Sequence, residues 1–243
     1  MITLTIDGRE IKAAEGLTIL DAARDNGIDI PTLCHHDAIT PYGACRLCMV
    51  EISGDNWSKL VTSCLYPVAE GLKVDTMSKR VMDSRRVIME FLLARCPDVE
   101  VIQDMARQVG VTETPFNKED GDCILCGMCV RVCEEVVGVS ALGFIRRGVS
   151  REVGTPFLES SDVCVGCGSC AEICPTNCIK IEDKGNTRTI KNWKVEFELE
   201  KCKSCGRFFA PKAQLDYLRQ KSGLDASFFE ICPECKKSGE NTK

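Results

Sequence analysis

Eighteen cysteines stand in a chain of 243 residues, and most of them fall at spacings that suit metal ligation. Two copies of one phrase occupy the middle. They are Cys123-x2-Cys126-x2-Cys129-x3-Cys133 and Cys164-x2-Cys167-x2-Cys170-x3-Cys174, the second followed at once by Pro175. A C-x2-C-x2-C-x3-C run is the bacterial pattern that holds a [4Fe–4S] cluster. Three thiolates on one tight loop reach three irons of a cube. The fourth, a helical turn further on, points to the neighbouring cube and ligates that one. The assignment is therefore crossed. Cys123, Cys126, Cys129 and Cys174 go to one cube, and Cys164, Cys167, Cys170 and Cys133 to the other. Gly127, Gly166 and Gly168 beside the ligands let backbone N–H groups approach sulfur without a Cβ in the way. Zinc sites usually use pairs of C-x2-C, which two four-cysteine runs with a terminal proline do not match.

A third quartet, Cys34, Cys45, Cys48 and Cys64, is spaced C-x10-C-x2-C-x15-C. Four thiolates with one tight pair suit a [2Fe–2S] rhomb, in which each iron takes two. The plant-type first gap is shorter, so spacing alone does not make the case. His35 and His36 follow Cys34. A Rieske centre would put two histidines on one iron, but four cysteines are already available, so both are read as surface groups or partners of the ligands. A fourth quartet pairs Cys202-x2-Cys205-Gly206 with Cys232-x2-Cys235. Two such knuckles read as a zinc-ribbon-like site, and a third [4Fe–4S] cube is the alternative. Either metal would staple a tail too small to hold a core of its own. Cys96 and Cys178 remain as core thiols, small hydrophobes in effect.

The elements that position these ligands read as an α+β chain. Residues 1–76 begin with alternation over Ile2–Ile6, a hairpin turn at Asp7-Gly8 and a return over Arg9–Ala13. Thr18 sits at an N-cap position before a helix to Asn26, and Gly27 fits its C′ end. Residues 77–116 read as a helical linker. Val81, Ile88, Phe91 and Leu92 share one face, and Lys79, Arg80, Arg85 and Arg86 form a solvated one. A second helix is expected from about Val99 to Val109, stopping at Gly110. Residues 117–185 carry the two runs, with Ala141–Ile145 and Gly154–Leu158 expected to pair as strands over the clusters. Residues 186–243 are the four-cysteine tail. A strand is expected over Trp193–Leu199 and a helix from Lys212 to Lys221, and the end from Ser238 to Lys243 is expected to fray.

Composition excludes several classes. A net charge of −5 gives no reason to expect nucleic acid, and two histidines supply little acid–base chemistry. The N-terminus lacks the basic and apolar regions of a secretory signal, and no apolar run is long enough to span a bilayer. The expected location is cytoplasmic, with the cysteines as metal ligands. No G-x-G-x-x-G follows a strand and no Walker A motif occurs, so NAD, flavin and ATP have no visible site.

Pro31-Thr-Leu-Cys34-His-His, Tyr42-Gly-Ala-Cys45-Arg-Leu-Cys48-Met-Val-Glu51 and Ser63-Cys64 make a family resemblance specific. Residues 1–75 resemble the [2Fe–2S] domain that opens the largest peripheral subunit of respiratory complex I. The same domain opens the diaphorase-side small subunit of NAD-linked hydrogenases and many [FeFe]-hydrogenase chains, and the likeness runs to about residue 185. It implies a β-grasp scaffold with [2Fe–2S] on Cys34, Cys45, Cys48 and Cys64, then a two-[4Fe–4S] ferredoxin domain. Those relatives carry a further cluster on one histidine and three cysteines in the linker. This chain has only Cys96 there and no histidine, so that cluster is expected to be missing. The cofactors implied are one [2Fe–2S], two [4Fe–4S] and one zinc.

The resemblance further implies an electron-transfer subunit with no catalysis of its own. It would link flavin/NAD(P)-binding diaphorase subunits to hydrogenase catalytic subunits, with ferredoxin as an added partner if the complex bifurcates electrons. The same role in an NAD-dependent formate dehydrogenase is one alternative. A redox-sensing or scaffold module is another, and three clusters without a basic patch argue against it.

Overall fold

The structure, a computed structural model, describes residues 1–240 and falls into two compact units, Met1–Met128 and Cys129–Lys243. Of the end expected to fray, Ser238–Glu240 close a helix, and residues 241–243 lie outside the described residues.

The first unit opens with the expected hairpin, β1 (Ile2–Ile6) and β2 (Arg9–Ala13). It continues with α1 (Ile19–Asp25), β3 (Met49–Gly54), β4 (Trp57–Thr62) and β5 (Lys73–Asp75). The five strands form one sheet in the order β2-β1-β5-β3-β4. The β1–β5 pair is parallel and the other pairs are antiparallel. Alternation puts Leu4, Ile6, Ile11, Val50, Ile52 and Val74 on one face, where they pack against Ile19, Leu20, Ala22 and Ala23 of α1. Thr18 caps α1 through a reciprocal box with Asp21.

Two linker helices follow, α2 (Lys79–Arg95) and α3 (Glu100–Gln108). They enclose a second core of Leu33, Leu47, Met89, Leu93, Cys96, Ile102, Ala106 and Val111. The inward side of α2 is the expected one in part: Val81 is buried and Ile88 and Leu92 pack against this core. Val81, Arg85, Met89 and Leu93 face inward at i, i+4 spacing, whereas Phe91 is exposed and stacks on Phe116 with ring centroids 4.3 Å apart. An arginine inside the stripe breaks the apolar period and hides it from pattern reading.

In the second unit, α4 (Met128–Arg131) enters across the boundary and runs into a π-helical turn, Val132–Val137. The hairpin that follows is β6 (Gly143–Ile145) with β7 (Glu152–Gly154). Its second strand ends at Gly154, where the expected Gly154–Leu158 segment begins. Pro156 removes a ladder donor, and Pro156–Leu158 forms a 3₁₀ turn instead. After α5 (Ser169–Glu172) comes an antiparallel sheet in the order β11-β10-β9-β8. Its strands are β8 (Ile181–Lys184), β9 (Thr187–Ile190), β10 (Val195–Lys201) and β11 (Phe208–Pro211). Trp193 ends a 3₁₀ turn between β9 and β10, so the strand expected from Trp193 starts two residues later. The helices α6 (Lys212–Ser222) and α7 (Pro233–Glu240) complete the unit.

Candidate metal centres

Four cysteines converge at one edge of the first sheet. Cys34 lies on the loop after α1, Cys45 and Cys48 on the loop entering β3, and Cys64 just past β4. Cys34, Cys48 and Cys64 are buried and Cys45 is half-buried. They form two close pairs. Cys45 donates its N–H to Cys34 Sγ at 3.4 Å, and Cys48 and Cys64 hold their sulfurs 3.4 Å apart. The hydrogen bond between this pair lowers Cys48 to about 6 and raises Cys64. Two pairs of thiols fit a rhomb in which each iron takes two, so the donor set suits [2Fe–2S]. The ligand loop is tight: Arg46 adopts φ +61° and Gly43 φ +68°. A Cβ on Gly43 would meet Leu65 Cδ1 at 2.6 Å, which is why no side chain stands there.

The two histidines differ. His36 is exposed. His35 is tucked in, its Nδ1 3.1 Å from Arg24 Nη1. Burial first, then Arg24, holds its pKa below the ordinary value.

Three arginines brace the cysteine loops through backbone carbonyls. Arg85, expected on a solvated face, is 3% exposed. Its Nε donates to Leu47 O and its Nη2 to Met49 O, both at 3.0 Å, on either side of Cys48. Arg95 donates Nε to Cys123 O at 2.8 Å and pairs with Glu119 at 3.2 Å. Arg188 donates Nη1 to Gly166 O at 3.2 Å, between Cys164 and Cys167, and grips Asp183 with two bonds of 2.8 and 2.9 Å. That grip holds the Asp183 carboxyl below its usual value. A guanidinium fork suits such bidentate bracing better than an ammonium.

In the second unit one apolar cavity is lined by Cys133, Cys164, Cys167 and Cys170 together with Ala141, Leu142, Ile190 and Trp193. Cys133 comes from the first run and the other three from the second. Ala141 N–H donates to Cys133 Sγ at 3.3 Å, and Trp193 Nε1–H to Cys170 Sγ at 3.5 Å. Burial pushes Cys170 up to about 11 and raises Cys133 and Cys164. Coordination to iron would instead hold all four as thiolates. Gly166 at φ +69° has no room for a side chain, since a Cβ would meet Phe197 Cδ2 at 2.4 Å. Sequence reasoning misses Trp193. It reads as a strand residue, and nothing local shows that it folds back over Cys170.

Cys123 and Cys126 end the first unit, whereas Cys129 and Cys174 belong to the second. Within the second unit, Cys174 Sγ lies 3.4 Å from Cys178 Sγ and 3.5 Å from Thr176 Oγ1. These bonds, Cys178 first, lower Cys174 to about 5. Cys178 is buried, as a core thiol should be, but it also touches a candidate ligand. Cys96 is fully buried, which pushes its thiol up to about 12.

In the tail, the sulfurs of Cys202, Cys205, Cys232 and Cys235 all lie within 4.8 Å of one another. Cys205 and Cys232 are 3.9 Å apart. Cys232 N–H donates to Cys202 Sγ at 3.3 Å, and backbone N–H groups, that of Cys205 first, lower Cys202 to about 6. The loop closes where Gly206 N–H donates to Cys202 O at 2.9 Å and Cys202 N–H to Arg207 O at 2.8 Å.

Comparison with known proteins places these sites among others. A 2Fe-2S iron-sulfur cluster binding domain matches residues 1–79. A 4Fe-4S dicluster domain matches residues 163–207, which takes in the second run and Cys202 and Cys205 but not the first run. The NADPH-Fe(3+) oxidoreductase subunit alpha of Geobacter sulfurreducens is 35% identical over 180 residues, covering 64% of this chain and 21% of the relative. The NADP-reducing hydrogenase subunit HndD of Solidesulfovibrio fructosivorans is 34% identical over 183 residues, covering 63% and 31%. The mitochondrial NADH dehydrogenase [ubiquinone] iron-sulfur protein 1 of Solanum tuberosum is 33% identical over 180 residues, covering 64% and 24%. The chain thus spans about a fifth to a third of these relatives. A crystal structure of an NAD+-reducing [NiFe]-hydrogenase in the H2-reduced state superposes with a TM-score of 0.57 at 31% identity, over 63% of this chain and 74% of that one. No helix among the described residues is long and apolar enough to cross a membrane.

Proposed function

The chain belongs to the iron–sulfur electron-transfer subunits of NAD(P)-linked hydrogenases and complex I-like oxidoreductases, and from that premise we propose that it is a one-electron wire between a flavin/NAD(P)-binding diaphorase subunit and a hydrogenase catalytic subunit. The wire carries one [2Fe–2S] on Cys34, Cys45, Cys48 and Cys64. One [4Fe–4S] sits on Cys164, Cys167, Cys170 and Cys133, and a second on Cys123, Cys126, Cys129 and Cys174. The complex is cytoplasmic, and ferredoxin is a third redox partner if it bifurcates electrons. The four regions 1–76, 77–116, 117–185 and 186–243 serve as [2Fe–2S] domain, linker, two-cube domain and metal-binding tail.

The observation that carries the reading is the gathering of four thiols in one apolar cavity and of two further thiol pairs on the loops of the first sheet. When bound, the clusters accept and pass single electrons. The chain's own residues hold the sulfurs, exclude water and set the local charge. Arg85 and Arg188 fix the ligand loops, and Trp193 and Ile190 close the apolar cavity around Cys170.

For the tail we propose zinc. Zinc–sulfur bonds of about 2.3 Å in a tetrahedron put the sulfurs about 3.8 Å apart. The 3.9 Å separation of Cys205 and Cys232 fits that spacing. A cube would hold its four thiolates on four separate irons and so farther apart.

Protein purified without oxygen should contain about ten irons and one zinc per chain. About fourteen irons and no zinc would make the tail a further cluster. The electron-transfer role is tested by stopped-flow mixing with the reduced diaphorase partner. All clusters should reduce within turnover, and clusters that stay oxidised would refute the role. Nickel in the co-purified partner would identify a hydrogenase, and molybdenum or tungsten a formate dehydrogenase.

A further inference from the structure

Arg85 poses a problem in charge balance. It is 3% exposed, on the inward stripe of α2, and both of its short bonds go to neutral carbonyls, Leu47 O and Met49 O. Its Nη1 faces sulfur, with Met77 Sδ at 3.8 Å and Met82 Sδ at 4.0 Å. Among the described residues it forms no ion pair with a carboxylate. Asp7 and Asp29 act on it only from a distance, and Asp7 is engaged with Thr76. Arg95 and Arg188 do the same bracing with Glu119 and Asp183 as counter-ions. Burying a cation without a partner is costly, so a compensating negative charge is required.

The residue flanked by the two braced carbonyls is Cys48, one of the four candidate ligands. Two ferric irons, two sulfides and four thiolates carry a net double negative charge, and uptake of one electron adds a third. A buried cation beside such a centre stabilises the reduced form more than the oxidised one, because the interaction scales with the product of the charges. Both carbonyl bonds also hold the turn that aims Cys45 and Cys48.

We propose that Arg85 is the built-in counter-charge of the N-terminal pocket, a positioning residue that fixes the Cys45–Cys48 loop and raises the reduction potential of the [2Fe–2S] centre. This rests on the reading of Cys34, Cys45, Cys48 and Cys64 as [2Fe–2S] ligands. The electron added is the one delivered by the diaphorase flavin, or by dithionite in the test. No proton or bond changes hands.

The experiment is a dithionite titration of the full chain, followed by the low-temperature EPR signal of the reduced [2Fe–2S] centre. At the wild-type midpoint, Arg85→Gln should lower the ratio of reduced to oxidised centre about tenfold, which is 59 mV for one electron. Arg85→Lys, which keeps the charge, should stay within about threefold of wild type. Met77 is exposed, so Met77→Glu leaves the carbonyl bonds alone while placing a carboxylate beside Nη1. It should lower the ratio about threefold. If Arg85→Gln does not retain the centre, Met77→Glu decides: a lowered ratio supports the proposal and an unchanged one overturns it. Unchanged ratios in both variants overturn it while leaving the cluster reading intact. A wild-type chain without the signal overturns the cluster reading and the proposal with it.

Discussion

Arg85 and Arg188 perform the same mechanical task in two regions of this molecule and differ in electrostatics. Each donates to a backbone carbonyl inside a cysteine loop, at 3.0 Å in one case and 3.2 Å in the other. Arg188 carries its own counter-ion in Asp183, so the second pocket sees a nearly neutral pair. That pocket stabilises sulfur mainly by apolar closure and two N–H donors, from Ala141 and Trp193. The first pocket sees a bare cation. Two means of tuning a centre are thus open to such pockets: net charge where the brace is unpaired, and hydrogen bonds with solvent exclusion where it is paired.

The comparison breaks most visibly at Trp193. Trp193→Ala removes a large buried side chain and the donor to Cys170. It should cost about 3–5 kcal/mol in a denaturant unfolding series. The second unit's cluster should be lost or oxygen-labile, with the N-terminal EPR signal unchanged. Equal loss of both signals would mean that the pockets are not independent. Gly166→Ala comes next. It forces a Cβ against Phe197 at a left-handed φ and should cost about 1–3 kcal/mol by the same unfolding measurement.

The remaining two substitutions test charge alone. Asp183→Asn strips Arg188 of its counter-ion and makes the second pocket resemble the first. The reduced fraction of that cube at fixed potential should rise about three- to tenfold, less than for a fully buried charge because the pair is partly exposed. Arg188→Gln leaves the Asp183 carboxylate without its partner, so it should lower the reduced fraction by a comparable factor, about three- to tenfold. Spectroelectrochemical titration of the cube reads both. Shifts of the same sign in the two variants would overturn the reading of Arg188 and Asp183 as a balanced pair.

Much of this is legible in the cysteine spacing and in short-range periodicity. The hairpin Ile2–Ile6 with Arg9–Ala13, the Thr18 cap, the linker helices and the helix from Lys212 form near their expected bounds, because each rests on contacts a few residues apart. The second strand of the insert hairpin falls earlier than expected, since Pro156 diverts the chain before it can pair. Arg85 misleads for a related reason. A charged residue on a helix is usually solvated, and the carbonyls of Leu47 and Met49 that receive this one lie 38 and 36 residues away in the chain.

By itself, then, the sequence determined which sulfurs are available and on what loops they lie, because tight spacings leave a short chain few ways to point its thiols. The tertiary structure decided what surrounds them. It put Trp193 over Cys170, brought Cys133 to the cavity of the second run, and turned Arg85 onto the carbonyls of Leu47 and Met49. Burial, counter-charge and solvent exclusion depend on residues distant in the chain, and no local pattern encodes them.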